Sequence, residues 1–193
     1  MSETKKFPNQ YIDNQFVPYV DEKELKDLIA SLAYTISEKY RHQELVLVGV
    51  LKGGHFFLCD LVREIKEVKV FIDFVKIAVI KDNHSGIKPL SGTPTFRMEG
   101  DITQNITGKH VLIVTEIIAS ARTLHFLKER LELCKPSSLE FISLFDKPYK
   151  RTIPLRANFI GKKIDDQFLV GYGLDLEEYC RNLKNIYYLK YPQ

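Results

Sequence analysis

No apolar run in this sequence approaches the roughly 20 residues that a membrane span requires. Met1 to Lys6 also lack the apolar core of a secretory signal, so the expectation is a cytoplasmic protein with no membrane partner. No stretch is rich in Pro, Gly or Ser, which argues against a long disordered tail. Cysteine is scarce: Cys59, Cys134 and Cys180 are widely spaced and form no C-x-x-C pair, so zinc and redox chemistry are not expected and the thiols read as reduced, mostly packing residues. An excess of charge of one sign is missing too. A formal net charge of +3 suits an anionic small molecule but falls short of a nucleic-acid footprint.

What is present is the composition of a globular protein, 45% hydrophobic and 27% charged over 193 residues, enough for a single domain around one core. Residues 1–20 read as an irregular arm, because Pro8, Pro18 and the aromatics among them follow no period. Asp21 in an N-cap role, followed by Leu25, Leu28, Ile29, Leu32 and Ile36 at helical spacing, predicts an amphipathic helix over about 22–39. Leu45 to Val50 is a continuous apolar run that ends in Leu51-Lys52-Gly53-Gly54, and Phe56, Phe57, Leu61 and Ile65 then outline a second helix. Val70–Ile80 and His110–Ile118 predict two further strands, the latter running into a helix that carries Leu124, Leu127 and Leu131. Shorter strands are predicted at Leu139–Phe145, Asn158–Ile160, Phe168–Tyr172 and Ile186–Leu189. Residues 81–107, rich in Gly, Ser, Thr, Pro and Asn, read as a mobile lid loop. Alternating strands and helices predict an α/β fold, a central, mainly parallel twisted sheet flanked by helices, with ligands at the carboxyl ends of its strands.

The two strand-to-helix junctions are therefore where chemistry is sought. The segment from Val111 to Leu124 begins as a buried strand and ends as a helix start containing Ser120, Ala121, Arg122 and Thr123. Amides at a helix N-terminus point outward unpaired, the dipole favours an anion there, and the Ser120 and Thr123 hydroxyls could add donors. A plain capped helix accounts for this feature alone about as well. His125, on the same helix, reads as a surface residue.

Together with three other segments, this one resembles the hypoxanthine-guanine phosphoribosyltransferases of the type I phosphoribosyltransferase family. Their signature is an apolar strand, two acids, two aliphatics, Asp, then Thr/Ser-Gly/Ala-x-Thr. Here Thr115-Glu116 stand at the acids, Ala119 at the Asp, and Ser120-Ala121-Arg122-Thr123 at the 5′-phosphate loop. Leu51-Lys52-Gly53 is similar to the family's pyrophosphate loop, and Asp146-Lys147-Pro148 to its purine-specifying lysine site. The run Phe168 to Asp175, with Arg181 beyond it, is similar to the remaining purine and pyrophosphate segment. The resemblance implies the family fold, including a small hood made from the N-terminal arm and the C-terminal segment. It also implies the following roles: Lys147 donating to a 6-oxo group, Phe168 stacking on the purine, backbone near Leu169, Leu174 and Asp175 at the base edge, Asp175 and Glu116 ligating Mg²⁺, and Arg181 on pyrophosphate.

The implied activity is purine salvage: transfer of 5-phosphoribosyl from phosphoribosyl pyrophosphate (PRPP) to hypoxanthine or guanine, giving the purine nucleotide and pyrophosphate. The Asp replaced by Ala119 would take the purine N7 proton, so reduced turnover is expected. The competing reading is a catalytically impaired nucleotide-binding paralogue acting as a regulatory or partner subunit. The resemblance further implies a homodimer or homotetramer, or a hetero-oligomer with an active relative, and small molecules rather than nucleic acid as ligands.

Overall fold

A computed structural model describes residues 16–80 and 95–190. Helix α1 (Glu22–Lys39) starts where the sequence signals it: Asp21 Oδ1 accepts from the Glu24 amide at 2.8 Å, Glu22 and Glu24 face the positive end of the dipole, and Lys39 the negative end. Its Leu25, Ile29, Leu32 and Ile36 are buried. Strand β2 (Glu44–Leu51) leads through a glycine turn into α2 (His55–Glu64), and β5 (His110–Ile118) leads into α3 (Arg122–Glu132). With β3 (Lys69–Ile80), β4 (Thr95–Gly100), β6 (Ser138–Asp146) and β7 (Phe159–Lys163) these strands make a six-stranded sheet in the order β4-β3-β2-β5-β6-β7. All neighbours are parallel except β3 and β4.

The parallel strands are apolar on both faces because both are covered. Leu45, Leu47, Leu112 and Val114 pack with α1 and α2 in one core, while Val46, Val48, Val111 and Ile113 pack with α3 in the other. Beyond the sheet, β1 (Phe16–Val20), β9 (Ile186–Leu189) and β8 (Leu169–Val170) form a small antiparallel sheet in the order β1-β9-β8, the hood that the family resemblance implies.

Three expectations need correction. The end of the arm is not irregular: residues 16–20 form β1, whose Pro18 is tolerated because the strand lies at the edge of its sheet and its register slips between Pro18 and Val20. The predicted lid is in part a strand, since residues 95–100 pair with β3; residues 81–94 lie outside the described residues, as do 1–15. Phe168–Tyr172 contributes only the two residues of β8 before turning at Gly171 and Tyr172, both at positive φ. The three cysteines are free, Cys180 buried but Cys59 exposed, so packing does not account for Cys59. His125 is half-exposed and lies 3.5 Å from Glu129 on the helix surface. Among the described residues no helix is long and apolar enough to cross a membrane.

The chain between β4 and β5 is pinned by a buried carboxylate. Asp73 Oδ2 accepts from the amides of Thr103 at 2.6 Å and Gln104 at 2.8 Å, and Oδ1 from that of Phe74 at 2.8 Å. Burial opposes its charge, but these amides outweigh the cost and hold the carboxyl below its usual range. A lowered carboxyl stabilises the fold above the unfolded pKa and loses that contribution as pH falls through the folded one. Asp73→Asn should therefore cost about 1–3 kcal/mol at neutral pH by denaturant unfolding, and the gap to wild type should narrow in acid.

Candidate active site

The join between β5 and α3 is built without a side-chain cap. Where Asp21 closes α1, α3 has Ala121, left-handed at φ 66°, ψ 7°, whose side chain offers the first-turn amides no acceptor. The Ser120 and Ala121 amides have no acceptor among the described residues, and the Arg122 amide makes only a long contact of 3.4 Å with Ser120 Oγ. Such amides, with the helix dipole behind them, form a site for an anion.

They border a cavity of about 340 Å³ whose walls unite segments far apart in sequence: Leu51-Lys52-Gly53, residues 115–121 with Thr123, and Asp175 with Arg181. Gly173 makes this convergence possible. It lies at φ +96°, its amide donates to Arg181 O at 2.9 Å, its carbonyl accepts from Arg181 Nη1 at 2.7 Å, and its α-carbon is pressed against the Gly53 carbonyl.

Opposite the α3 amides stands a pair of cations. Lys52 Nζ and Arg181 Nη2 both donate to Glu178 Oε2, at 3.0 and 3.1 Å, and Arg181 Nη2 lies 2.9 Å from Asp175 Oδ1. The Lys52 hydrogen bond, followed by that from Arg181, holds the Glu178 carboxyl below its usual range. Arg181 Nε is buried with no partner among the described residues, a donor still to be satisfied. On the floor, Thr115 Oγ1 donates to Glu116 Oε2 at 3.2 Å and the Glu116 carboxyl is packed against Gly53, where burial pushes its pKa up.

The remaining predicted residues stand apart from this cavity. Lys147 Nζ donates to Gln167 O at 2.5 Å and is 3.8 Å from Asp166; burial lowers its pKa, against the opposing pull of Asp166. Phe168 follows that segment directly and is 37% exposed, leaving ring surface free. Leu169 and Leu174 are core residues, with the Leu174 carbonyl accepting from Gly171 N at 3.0 Å. Arg122 turns away, its Nε donating to Thr152 Oγ1 at 3.2 Å.

Sequence reasoning missed Glu178, Asp146 and Arg151. Arg151 pairs with Asp146 and donates to the Ala119 carbonyl at 2.6 Å. The only signals available were their positions, Glu178 between Asp175 and Arg181 and the other two flanking Lys147-Pro148. Among the described residues no group of three or more His, Cys, Asp or Glu side chains is placed to hold a metal. Mg²⁺ ordinarily needs only one or two carboxylates, with substrate oxygens and water completing its shell. Asp175 and Glu116 both line the cavity; Asp175 fits that role, and Glu116, packed against Gly53 where burial pushes its pKa up, fits it less well.

The Phosphoribosyl transferase domain family matches residues 19–177. A hypoxanthine-guanine phosphoribosyltransferase from Staphylococcus epidermidis is 36% identical over 171 residues, 89% of this chain and 92% of that protein. The crystal structure of a hypoxanthine-guanine phosphoribosyltransferase from Bacillus anthracis superposes with a TM-score of 0.80 at 38% identity, covering 90% of this chain and 96% of the other. A solved alanine mutant of an invariant aspartic acid in HPRTs superposes with a TM-score of 0.79 at 32% identity, covering 90% and 94%.

A side chain at position 173 would both strain the backbone and collide with the Gly53 carbonyl. Gly173→Ala should destabilise the fold by about 2–4 kcal/mol in denaturant titration. An unchanged midpoint would contradict the close approach of these two loops.

Proposed function

The chain belongs to the phosphoribosyl transferase domain family, with the hypoxanthine-guanine phosphoribosyltransferases as its relatives, and from that premise we propose that it moves a 5-phosphoribosyl group from PRPP to a 6-oxopurine at reduced turnover. The observation that carries this reading is the convergence of uncapped α3 amides, the Lys52 loop, Asp175 and Arg181 on one cavity.

In this proposal the Ser120–Thr123 turn receives the 5′-phosphate, and the Lys52 loop with Arg181 receives the diphosphate. The unpartnered Arg181 Nε supports the second assignment, because a phosphate oxygen would satisfy it. Phe168 offers a face for the purine, and Lys147, next to it, offers a donor to a 6-oxo group that adenine lacks. Asp175 would hold Mg²⁺ together with diphosphate oxygens; bound there, the ion would neutralise charge on the leaving group. As the bond from C1′ to diphosphate breaks and that to purine N9 forms, the proton on N7 must leave. Alanine at 119 offers it no base, so the proton would pass to water. Thr115 and Glu116 leave one carboxyl, where the family pattern has two acids, for the ribose hydroxyls. Positioning and diphosphate stabilisation remain to supply rate.

The second reading, a nucleotide-binding subunit without useful turnover, is favoured by the same Ala119 and by the single carboxyl, Glu116, where the family pattern has two acids. Restoring the base separates the two. Ala119→Asp should raise kcat by about 10²–10⁴-fold in an assay of pyrophosphate release with hypoxanthine and guanine, the usual contribution of general-base catalysis. No gain would favour the non-catalytic subunit.

A further inference from the structure

Resting on that reading, we propose that Arg151, charge-balanced by Asp146, is a positioning residue that turns the phosphate loop's amides inward and fastens that loop to the purine-side segment. Residues 147–153 donate to three successive carbonyls of the β5–α3 join. Lys147 N donates to Ile118 O at 2.8 Å, Arg151 Nη1 to Ala119 O at 2.6 Å, and Thr152 N, Ile153 N and Thr152 Oγ1 to Ser120 O, each at 3.2 Å.

In a trans peptide unit the carbonyl and the following amide point in opposite directions. Drawing the Ala119 and Ser120 carbonyls toward residues 151–153 therefore aims the Ser120 and Ala121 amides away from that segment. Residues 151–153 take no part in lining the cavity, whereas Ala119, Ser120 and Ala121 do. Orientation of the amides is thus set from outside the site.

The arrangement needs holding in place. Left-handed backbone at Ala121 is unfavourable for a residue with a β-carbon, and such strain survives where its surroundings over-determine it. Among the described donors to the Ala119 and Ser120 carbonyls only Arg151 carries charge, and charge-assisted bonds are the stronger class. Its side chain is 15% exposed and its Asp146 partner 6%, so the pair is shielded from solvent. Asp146 ends β6 beside Ile118, and the next residue is Lys147. One ion pair therefore joins the strand that presents the purine-side lysine to the loop that presents the phosphate amides.

Calorimetry with guanosine monophosphate (GMP) and with inorganic pyrophosphate tests this. Removing Arg151 alone leaves a buried, unpaired Asp146, so the working variant is Asp146→Asn with Arg151→Met, accompanied by Arg151→Lys, which can keep the Ala119 bond but cannot fork to both partners. The double variant should lose about 10- to 100-fold in GMP affinity and Arg151→Lys an intermediate amount, while pyrophosphate affinity, governed by Lys52 and Arg181, stays as in wild type. GMP affinity unchanged in both variants overturns the inference, as does equal loss of GMP and pyrophosphate, which marks general damage. Should the double variant fail to fold, Arg151→Lys decides by the same two affinities. Absence of GMP heat with wild type overturns the phosphoribosyl reading itself, and the inference with it.

Discussion

A helix that begins without a cap must find another partner for its first amides, and α3 begins that way. The Ala121 side chain can accept nothing, the Ser120 hydroxyl reaches only one amide and at 3.4 Å, and the backbone there is left-handed. Most helix starts avoid this cost with a side-chain oxygen, as Asp21 does for α1. Here the donors face a cavity, and the rest of the architecture serves that exposure. Buried β5 brings the chain to the point, residues 147–153 hold the carbonyls outward, and β2 delivers a second loop to the opposite wall.

That opposite wall is cationic and internally neutralised. Glu178 and Asp175 take hydrogen bonds from Lys52 Nζ and Arg181 Nη2, while Arg181 Nε is left without a partner among the described residues. An incoming diphosphate would have to replace the Glu178 contacts, exchanging one set of charge-assisted bonds for another of higher charge. Because Lys52 and Glu178 are both more than half exposed, that exchange is a small one in a well-screened setting. In the proposed function the binding groups persist with their charges already paired, while position 119 holds an alanine where a base is needed and positions 115–116 hold one carboxyl where two acids are expected.

The six-stranded sheet was legible because burial on both faces writes itself as unbroken apolar runs, and His110–Ile118 agrees with the sequence reading to the residue, as does Ile186–Leu189 in the small antiparallel sheet. Helix α1 was legible from its cap and its period. Strand β4 was not, because Thr95–Gly100 alternates half-buried with exposed residues, includes Arg97 and Glu99, and owes its conformation to pairing with β3. Strand β1 was hidden by Pro18 and depends on β9, far along the chain. At the site, the Ser120–Thr123 turn and the Lys52 loop could be singled out from local sequence, since each is a contiguous motif. The Asp146–Arg151 pair and the Glu178 bridge could not, because an ion pair is a relation between side chains that only the folded chain brings within reach. Gly173 was read as part of a motif, whereas its role is steric and needs the Gly53 carbonyl to be seen.

The central claim is that the unpaired amides opening α3 seat a nucleotide's phosphate. A crystal structure of the protein with bound GMP tests it most directly. The account predicts phosphate oxygens against the backbone of residues 120–123 and the guanine between Phe168 and Lys147. A nucleotide seated with its phosphate on Lys52 and Arg181 instead, or bound away from this cavity, would contradict it.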